Sequence, residues 1–335
     1  MSARMKDIAV DLGVSLMTVS KALRSHKDIG EKTRALVVQR ARELGYRPNW
    51  IARSLVTQRT DLVGLVVPDL MHSFFAEVVT GVAKRLEPLN YHVVIANSNE
   101  DVVSEARQVE LLVARKCDGI ILASAQPAAR GESIRILEEH KTPYVLVDRR
   151  PRGLEAHYVG VKNEEIGVLA TSHLIERGCR RIAHIRGPEI PTGVGRLTGY
   201  RSALNQHRMK FRPDYVVTGQ HSDAAGYQAM RELLRLRPLP DGVFCYNDPV
   251  AAGAMKAILE VGLRVPGDIA VIGAGNVHYS DLLRVPLSTI DQSSSLIGET
   301  AAELLLECLN SKNTGPFRSV FIEPRLIVRE SSFSG

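Results

Sequence analysis

Cysteine is scarce and scattered. Cys117, Cys179, Cys245 and Cys308 form no CxxC pair and no metal-ligand spacing, so free buried thiols in a reducing compartment are expected rather than disulfides. Long apolar runs are missing as well, and none reaches the length a membrane span requires. Met1–Asp7 has no apolar stretch after its charges, so a signal peptide is not expected and the expected location is the cytoplasm. There is no solenoid repeat, no low-complexity segment, no P-loop, no HExxH and no GxSxG. Gly273-Ala-Gly275 is a fragment of a dinucleotide fingerprint placed too far along the chain. The histidines have no ligand spacing; His26, His72, His173, His184 and His278 read as solvated or satisfied core residues. Neither a metal nor a cofactor is expected, and no convergent acid/base pair marks an enzyme.

What the chain does have is an uneven distribution of charge. Its 335 residues carry 43 Lys+Arg and 37 Asp+Glu, with 44% apolar and 24% charged residues, the composition of a globular protein too long for one small core. The first sixty residues hold 12 Lys+Arg against 5 Asp+Glu, whereas the remaining 275 hold 31 against 32. A basic head on a neutral body is the electrostatic footprint of a DNA reader joined to something else; a small helical bundle with a solvated basic surface is the plainer alternative.

The head has its own pattern. Ile8, Ala9 and Leu12 give one apolar face to a short helix, Gly13 can end it in a left-handed conformation, and Val14 fills the corner. Ser15 is a good N-cap for a second helix with Val19, Ala22 and Leu23 on one face. Two short helices around a tight glycine turn make a helix–turn–helix, whose second helix sends Leu16, Met17, Thr18, Ser20 and Lys21 outward to a major groove. A third helix is expected over 31–44, stopped by Gly45 and Pro48. Asn49 can cap a further helix of barely two turns, marginal alone in water, before the polar run Thr57–Asp61. That piece reads as a segment ordered on binding DNA.

From Asp61 onward, apolar runs alternate with amphipathic stretches. Strands are expected at 62–67, 91–96, 119–123, 144–147 and 158–161, then at 181–185, 215–217, 243–246 and 269–272. Helices are expected between them, among others at 75–86, 105–114, 166–176 and 249–260. Continuous apolar strands alternating with helices mean doubly wound parallel sheets, here two. Ligands bind outside the carboxyl ends of such strands, so the cleft between two facing sheets is the natural site.

Ordered, correctly spaced runs carry a resemblance. In the head they are Lys6-Asp-Ile-Ala9, Gly13-Val-Ser15, Thr18-Val-Ser-Lys-Ala-Leu23, Leu44-Gly-Tyr-Arg-Pro-Asn49 and Ala52-Arg-Ser-Leu55. In the body they include Pro68-Asp69, Phe74-Phe-Ala-Glu77, Val147-Asp-Arg149, Gly195-Arg196, Asn247-Asp248 and Pro324-Arg-Leu-Ile-Val-Arg-Glu330. The chain resembles the lactose/galactose-repressor family over nearly its whole length. The resemblance implies a small all-α helix–turn–helix head over 1–48, a hinge helix and linker over 49–60, and a two-lobed α/β body over 61–335 with the periplasmic sugar-binding fold. Lobe one would comprise about 61–161 and 291–320, and lobe two about 162–290 and 321–330.

It also implies roles. Lys6, Ser15, Leu16, Met17, Thr18, Ser20, Lys21, Asn49, Ala52, Arg53 and Leu55 would contact operator DNA, with Leu55 as a minor-groove wedge that kinks the duplex. Lys21 stands where arginine is commoner, and Leu16 and Met17 could touch a thymine methyl group but not donate a hydrogen bond. Phe74 and Phe75 would stack on an effector and Arg196 would grip its polar groups, with Asp148, Asn247, Thr192, Gln292 and His221 completing the shell. Arg196 reads as lying in a loop, and Asp248 as the cap of the helix after it.

Two departures from the family pattern stand out. Its usual aspartate is missing at Gly273-Ala-Gly275, and the first crossover reads Val161-Lys-Asn163 in place of Val-Asp-Asn. With Arg186 added at a strand end, Lys162, Arg186 and Arg196 suggest an anionic effector such as a sugar acid. The function expected is that of a homodimeric, effector-controlled transcriptional regulator on palindromic DNA, most often a repressor, without membrane association. A solute-binding protein and a sugar-converting enzyme with a fused DNA-binding head are the alternatives.

Overall fold

The computed structural model describes residues 3–23, 26–46, 59–126, 131–310 and 315–333. The chain divides at Thr60/Asp61 into a small helical head and a larger body.

In the head, α1 (Met5–Leu12), α2 (Leu16–Leu23) and α3 (Glu31–Glu43) enclose a core of Ile8, Ala9, Val19, Ala22, Val37 and Ala41. Gly13 adopts the left-handed conformation at φ 62° that closes α1, a geometry nearly free of cost only for glycine. The Ser15 hydroxyl accepts the Thr18 N–H at 3.0 Å and so caps α2. Arg40 of α3 reaches Asp11 of α1 at 2.6 Å.

The body is built on two parallel sheets. The first takes β1 (Leu62–Val67), β2 (His92–Asn97), β3 (Gly119–Leu122), β4 (Tyr144–Val147), β5 (Tyr158–Val161) and β11 (Ser319–Ile322), in the order β11-β5-β4-β3-β1-β2. The second takes β6 (Ile182–Arg186), β7 (Val216–Thr218), β8 (Gly242–Cys245) and β9 (Ala270–Ile272), in the order β7-β6-β8-β9. β10 (Thr289–Asp291) and β12 (Arg325–Ile327) form an antiparallel pair.

Alternation along each strand feeds helices on both faces. Val63, Leu65 and Val67 of β1 pack with α4 (Ser73–Leu86) and α11 (Ser294–Asn310), whereas Val66 packs with α5 (Val102–Ala114) and α6 (Glu132–Glu139). In lobe two, Ile182 and Phe244 share a core with α7 (Asn163–Glu176) and α8 (Pro191–Gln206), while Ala183 and Val243 face α9 (Asp223–Leu233) and α10 (Asp248–Glu260). Both lobes are thus three-layered, and runs apolar at every position are what such doubly covered strands need.

The chain leaves the first sheet after Val161, re-enters lobe one after Asp291 through α11, and leaves again after Ile322. Lobe one therefore extends to Ile322 rather than 320, because Ser319–Ile322 pairs in register with Tyr158–Val161. A second difference matters more for function. The run Thr192-Gly-Val-Gly195-Arg196 belongs to α8 and is not a loop. Its glycines are there for approach: a Cβ at Gly193 would lie 2.1 Å from the Pro188 carbonyl oxygen, and one at Gly199 2.0 Å from that of Glu164. The first contact packs the start of α8 on the segment that leads into it, and the second seats α8 against α7. Gly199→Ala should destabilise the body by about 1–3 kcal/mol through overpacking, read as a lower denaturation midpoint; an unchanged midpoint would show that α7 and α8 can part at no cost.

Candidate functional site

Eight chain segments meet at one place. The carboxyl ends of β1, β2 and β4 bring Asp69, His72, Phe74, Phe75, Glu100, Asp148 and Arg149 from lobe one. Those of β7, β8 and β9 bring His221, Tyr246, Asn247 and Ala274 from lobe two, while α8 adds Arg196 and the crossover adds Gln292. This is the switch-point cleft expected of facing doubly wound sheets.

Arg196 is 3% exposed and bonded through all three of its guanidinium nitrogens. Its Nε donates to Asn163 Oδ1 at 3.0 Å, Nη2 to Gln292 Oε1 at 2.9 Å, and Nη1 to the Tyr246 carbonyl oxygen at 2.5 Å. Each Nη group keeps one further proton for a ligand. Phe74 and Phe75 meet edge to face, with centroids 5.1 Å apart, and both are buried. Asn247 caps α10 by accepting the Val250 N–H at 2.9 Å, while its amide nitrogen donates to the His221 carbonyl oxygen at 3.0 Å.

Glu100 and Arg149 form a bidentate ion pair at 2.5 and 2.8 Å. Burial would raise the Glu100 pKa, but the hydrogen bonds and charge of Arg149, with His221 and His72, hold it below its ordinary value. Burial raises Asp148 against the opposing pull of Arg149 and Arg196. His72 is pushed down to about 4, chiefly by burial, and His221 is lowered for the same first reason. Arg149 Nε is buried without a hydrogen-bond partner, 3.6 Å from Asp148 Oδ2.

Several expectations need correction. Lys162 and Arg186 do not line the cleft: Lys162 is 58% exposed and pairs with Glu165 at 3.0 Å, while Arg186 pairs with Glu189. Lys162 is the N-cap of α7 and Arg186 the last residue of β6, and in each case an acidic residue three positions on neutralises it. Thr192 lies behind the lining, its hydroxyl 2.8 Å from the Tyr246 hydroxyl. Asp248 is not the cap, a place Asn247 takes. It is buried and accepts Val277 N–H, Ser280 Oγ and Thr289 Oγ1 at 3.0, 2.8 and 2.6 Å, fixing the loop after β9. The net positive cleft read from the sequence is absent: two arginines face three carboxylates, and both histidines are held neutral. Sequence reasoning placed His72 elsewhere and assigned no role to Asp69, Glu100, Arg149 or Tyr246. Their position one to a few residues past a buried strand was the only signal available.

In the head, Leu16 and Met17 are 51% and 69% exposed and Lys6 is exposed. Thr18, Ser20 and Lys21 are half-buried, and Lys21 Nζ lies 3.1 Å from Asp28. Asn49, Ala52, Arg53 and Leu55 lie outside the described residues.

Comparison with known proteins agrees with this geometry. Residues 4–49 match the model of bacterial regulatory proteins of the lacI family, and residues 171–332 that of the periplasmic binding protein-like domain. The HTH-type transcriptional repressor PurR of Pasteurella multocida is 34% identical over 332 residues, covering 98% of each chain. That of Escherichia fergusonii is 34% identical over 337 residues, 99% of this chain and 98% of the relative. Among solved structures, a lac repressor dimer bound to operator and the anti-inducer ONPF covers all of both chains at 26% identity and TM-score 0.89. A transcriptional regulator CelR–cellobiose complex covers 98% of this chain and 99% of that one at 32% identity and TM-score 0.75. The chain belongs to the LacI family. It is a DNA-binding transcriptional repressor under the control of a small-molecule effector, and not an enzyme.

Removing one partner of the Glu100–Arg149 pair leaves a buried cation. Glu100→Gln should therefore cost about 2 kcal/mol, below the range for a fully buried pair because the Glu100 side chain is 32% exposed. A carboxylate whose folded pKa is lowered stabilises above its unfolded pKa and loses that contribution as pH falls through the folded value. The wild-type advantage should thus be constant above the glutamate reference of 4.5 and shrink below it. Denaturant melts across that range measure it; a difference that grows on acidification would contradict the assignment.

Proposed function

We propose that the chain acts as a dimer on a palindromic operator in the cytoplasm, and that the cleft between its lobes binds a neutral, hydroxyl-rich effector. Lys6, Ser15, Leu16, Met17, Thr18, Ser20 and Lys21 are the proposed contacts of the helix–turn–helix, and Asn49, Ala52, Arg53 and Leu55 those of the hinge. A two-fold symmetric site requires two heads held together, which the bodies would supply.

The observation that carries the effector reading is the convergence of both sheet ends on a cleft with compensated charge. Arg196 offers unspent N–H groups, Arg149 offers its Nε, and Asp148, Gln292 and Asn247 stand beside them, with Phe74, Phe75 and His221 supplying ring surfaces. Paired donors and acceptors beside aromatic rings suit hydroxyl groups on a sugar ring. A carboxylate ligand would meet Asp69, Glu100 and Asp148 without Lys162 or Arg186 to offset them. Titration calorimetry with an aldose and its aldonate, paired across a panel of sugars, tests this. The neutral member should bind at least as tightly, and a tenfold preference for the acid would refute the reading. Arg196→Ala should abolish effector binding in the same titration.

For the DNA end, Leu55→Ala should weaken specific operator binding and leave the salt-dependent nonspecific component nearly unchanged, because a wedge contributes duplex deformation rather than phosphate contacts. Equal losses on operator and random duplexes would refute the wedge role.

A further inference from the structure

His72 makes two contacts that one neutral imidazole cannot satisfy together. As the N-cap of α4 its Nδ1 lies 3.3 Å from the Phe74 backbone nitrogen, where it would have to accept. Its Nε2 lies 3.1 Å from Asn247 Nδ2, across the cleft in lobe two. The orientation of the Asn247 amide is fixed independently. Its oxygen accepts the Val250 N–H and its nitrogen donates to the His221 carbonyl oxygen, so the proton aimed at His72 is a donor's. His72 must then accept at Nε2. Burial keeps the ring neutral, with a pKa of about 4, and a neutral imidazole has one accepting nitrogen. With Nε2 accepting, Nδ1 carries the proton and the α4 cap is forfeited.

We propose that His72 is the positioning residue that latches the two lobes of the ligand-free protein. Its single acceptor site serves Asn247 when the lobes are closed and returns to the Phe74 N–H when they part. The exchange lowers the free-energy difference between the two arrangements, since each state satisfies one donor at the other's expense. A second cross-cleft contact runs beside it, His221 Nε2 to Glu100 Oε1 at 3.6 Å, and Asn247 joins the two through the His221 carbonyl. Resting on the effector reading above, the consequence is that a ligand hydroxyl accepting from Asn247 releases His72 and resets lobe closure.

Two measurements on the full chain without ligand test the latch itself. With 15N-histidine labelling, the resonance assigned to His72 by its loss in His72→Asn should report the Nδ1–H tautomer in the wild type. In Asn247→Ser, which keeps a capping oxygen but no amide, it should convert to Nε2–H. Small-angle scattering should show the open population rising roughly fivefold in His72→Asn, the size expected for one hydrogen bond of ordinary strength. Asparagine can still cap α4, so a lost cap does not explain that change. The double variant should open no further than either single one. An Nε2–H tautomer in the wild type, a tautomer indifferent to Asn247→Ser, or unchanged scattering in His72→Asn would each overturn the latch. Because no effector enters these measurements, they stand whether or not the sugar titrations succeed.

Discussion

Arg196 is a cation almost wholly removed from water, and its charge can be kept there only while every segment that supplies an acceptor stays in place. A buried guanidinium left unpaired costs several kcal/mol. Its acceptors come from Asn163 just past the first crossover, Gln292 just past the second, and the Tyr246 carbonyl at the end of β8. One side chain on α8 therefore ties together two of the strands that pass between lobes. The glycines that let α8 lie against α7 exist to deliver it. Tyr246, held from behind by Thr192 and under the guanidinium at 4.8 Å from its ring centroid, completes the support.

Backbone conformation repeats the same division. Most of the non-glycine residues with positive φ fall into two groups. Lys116, Lys141 and Arg208 follow helix ends, where a left-handed residue commonly closes the last turn. Asn99, Glu100, Asp148, Gln220, Asn276 and Ser293 lie instead at strand ends and crossovers around the cleft. Such conformations cost free energy and persist where neighbouring structure over-determines them. At Glu100 and Asp148 the over-determination is visible. The bidentate bond to Arg149 fixes one, and burial beside the same guanidinium fixes the other. Strain here buys direction for carboxylates that a regular strand would point elsewhere.

The architecture was legible in the sequence because doubly covered parallel strands must be apolar at every position, and runs such as Leu62–Val67 and Tyr144–Val147 have no other use. Ser15 and Gly13 announced the turn of the head by cap chemistry alone. The misreadings of charge share one physical origin: a sequence shows charge but not its partner. Lys162 and Arg186 looked like cleft cations until Glu165 and Glu189, each three residues on, were seen to neutralise them. Glu100 and Arg149, separated by 49 residues, gave no sign of meeting. The glycines at 193 and 195 looked like a loop because close helix approach and chain reversal both select glycine. His72 was passed over because a lone histidine carries no spacing to read.

Charge compensation also decides what kind of signal the cleft can transmit. A site whose opposite charges nearly cancel offers an incoming ligand hydrogen bonds rather than net attraction, so selectivity must come from matching donors and acceptors one by one. Unmatched polar groups then do the discriminating, because each buried donor left without an acceptor costs more than a made bond gains. Arg149 Nε is one such group, and the contested nitrogen of His72 leaves the Phe74 N–H as another. The first lies within lobe one, while the bond that leaves the second unmet spans both lobes through Asn247. A ligand that satisfies the first gains affinity. A ligand that also takes the Asn247 amide frees His72 to rejoin its helix, and so favours a different lobe arrangement from the empty protein. Affinity and conformational response are thereby carried by different atoms of the same cleft, which lets one ligand occupy the site silently while another, with one hydroxyl better placed, alters the arrangement of the body.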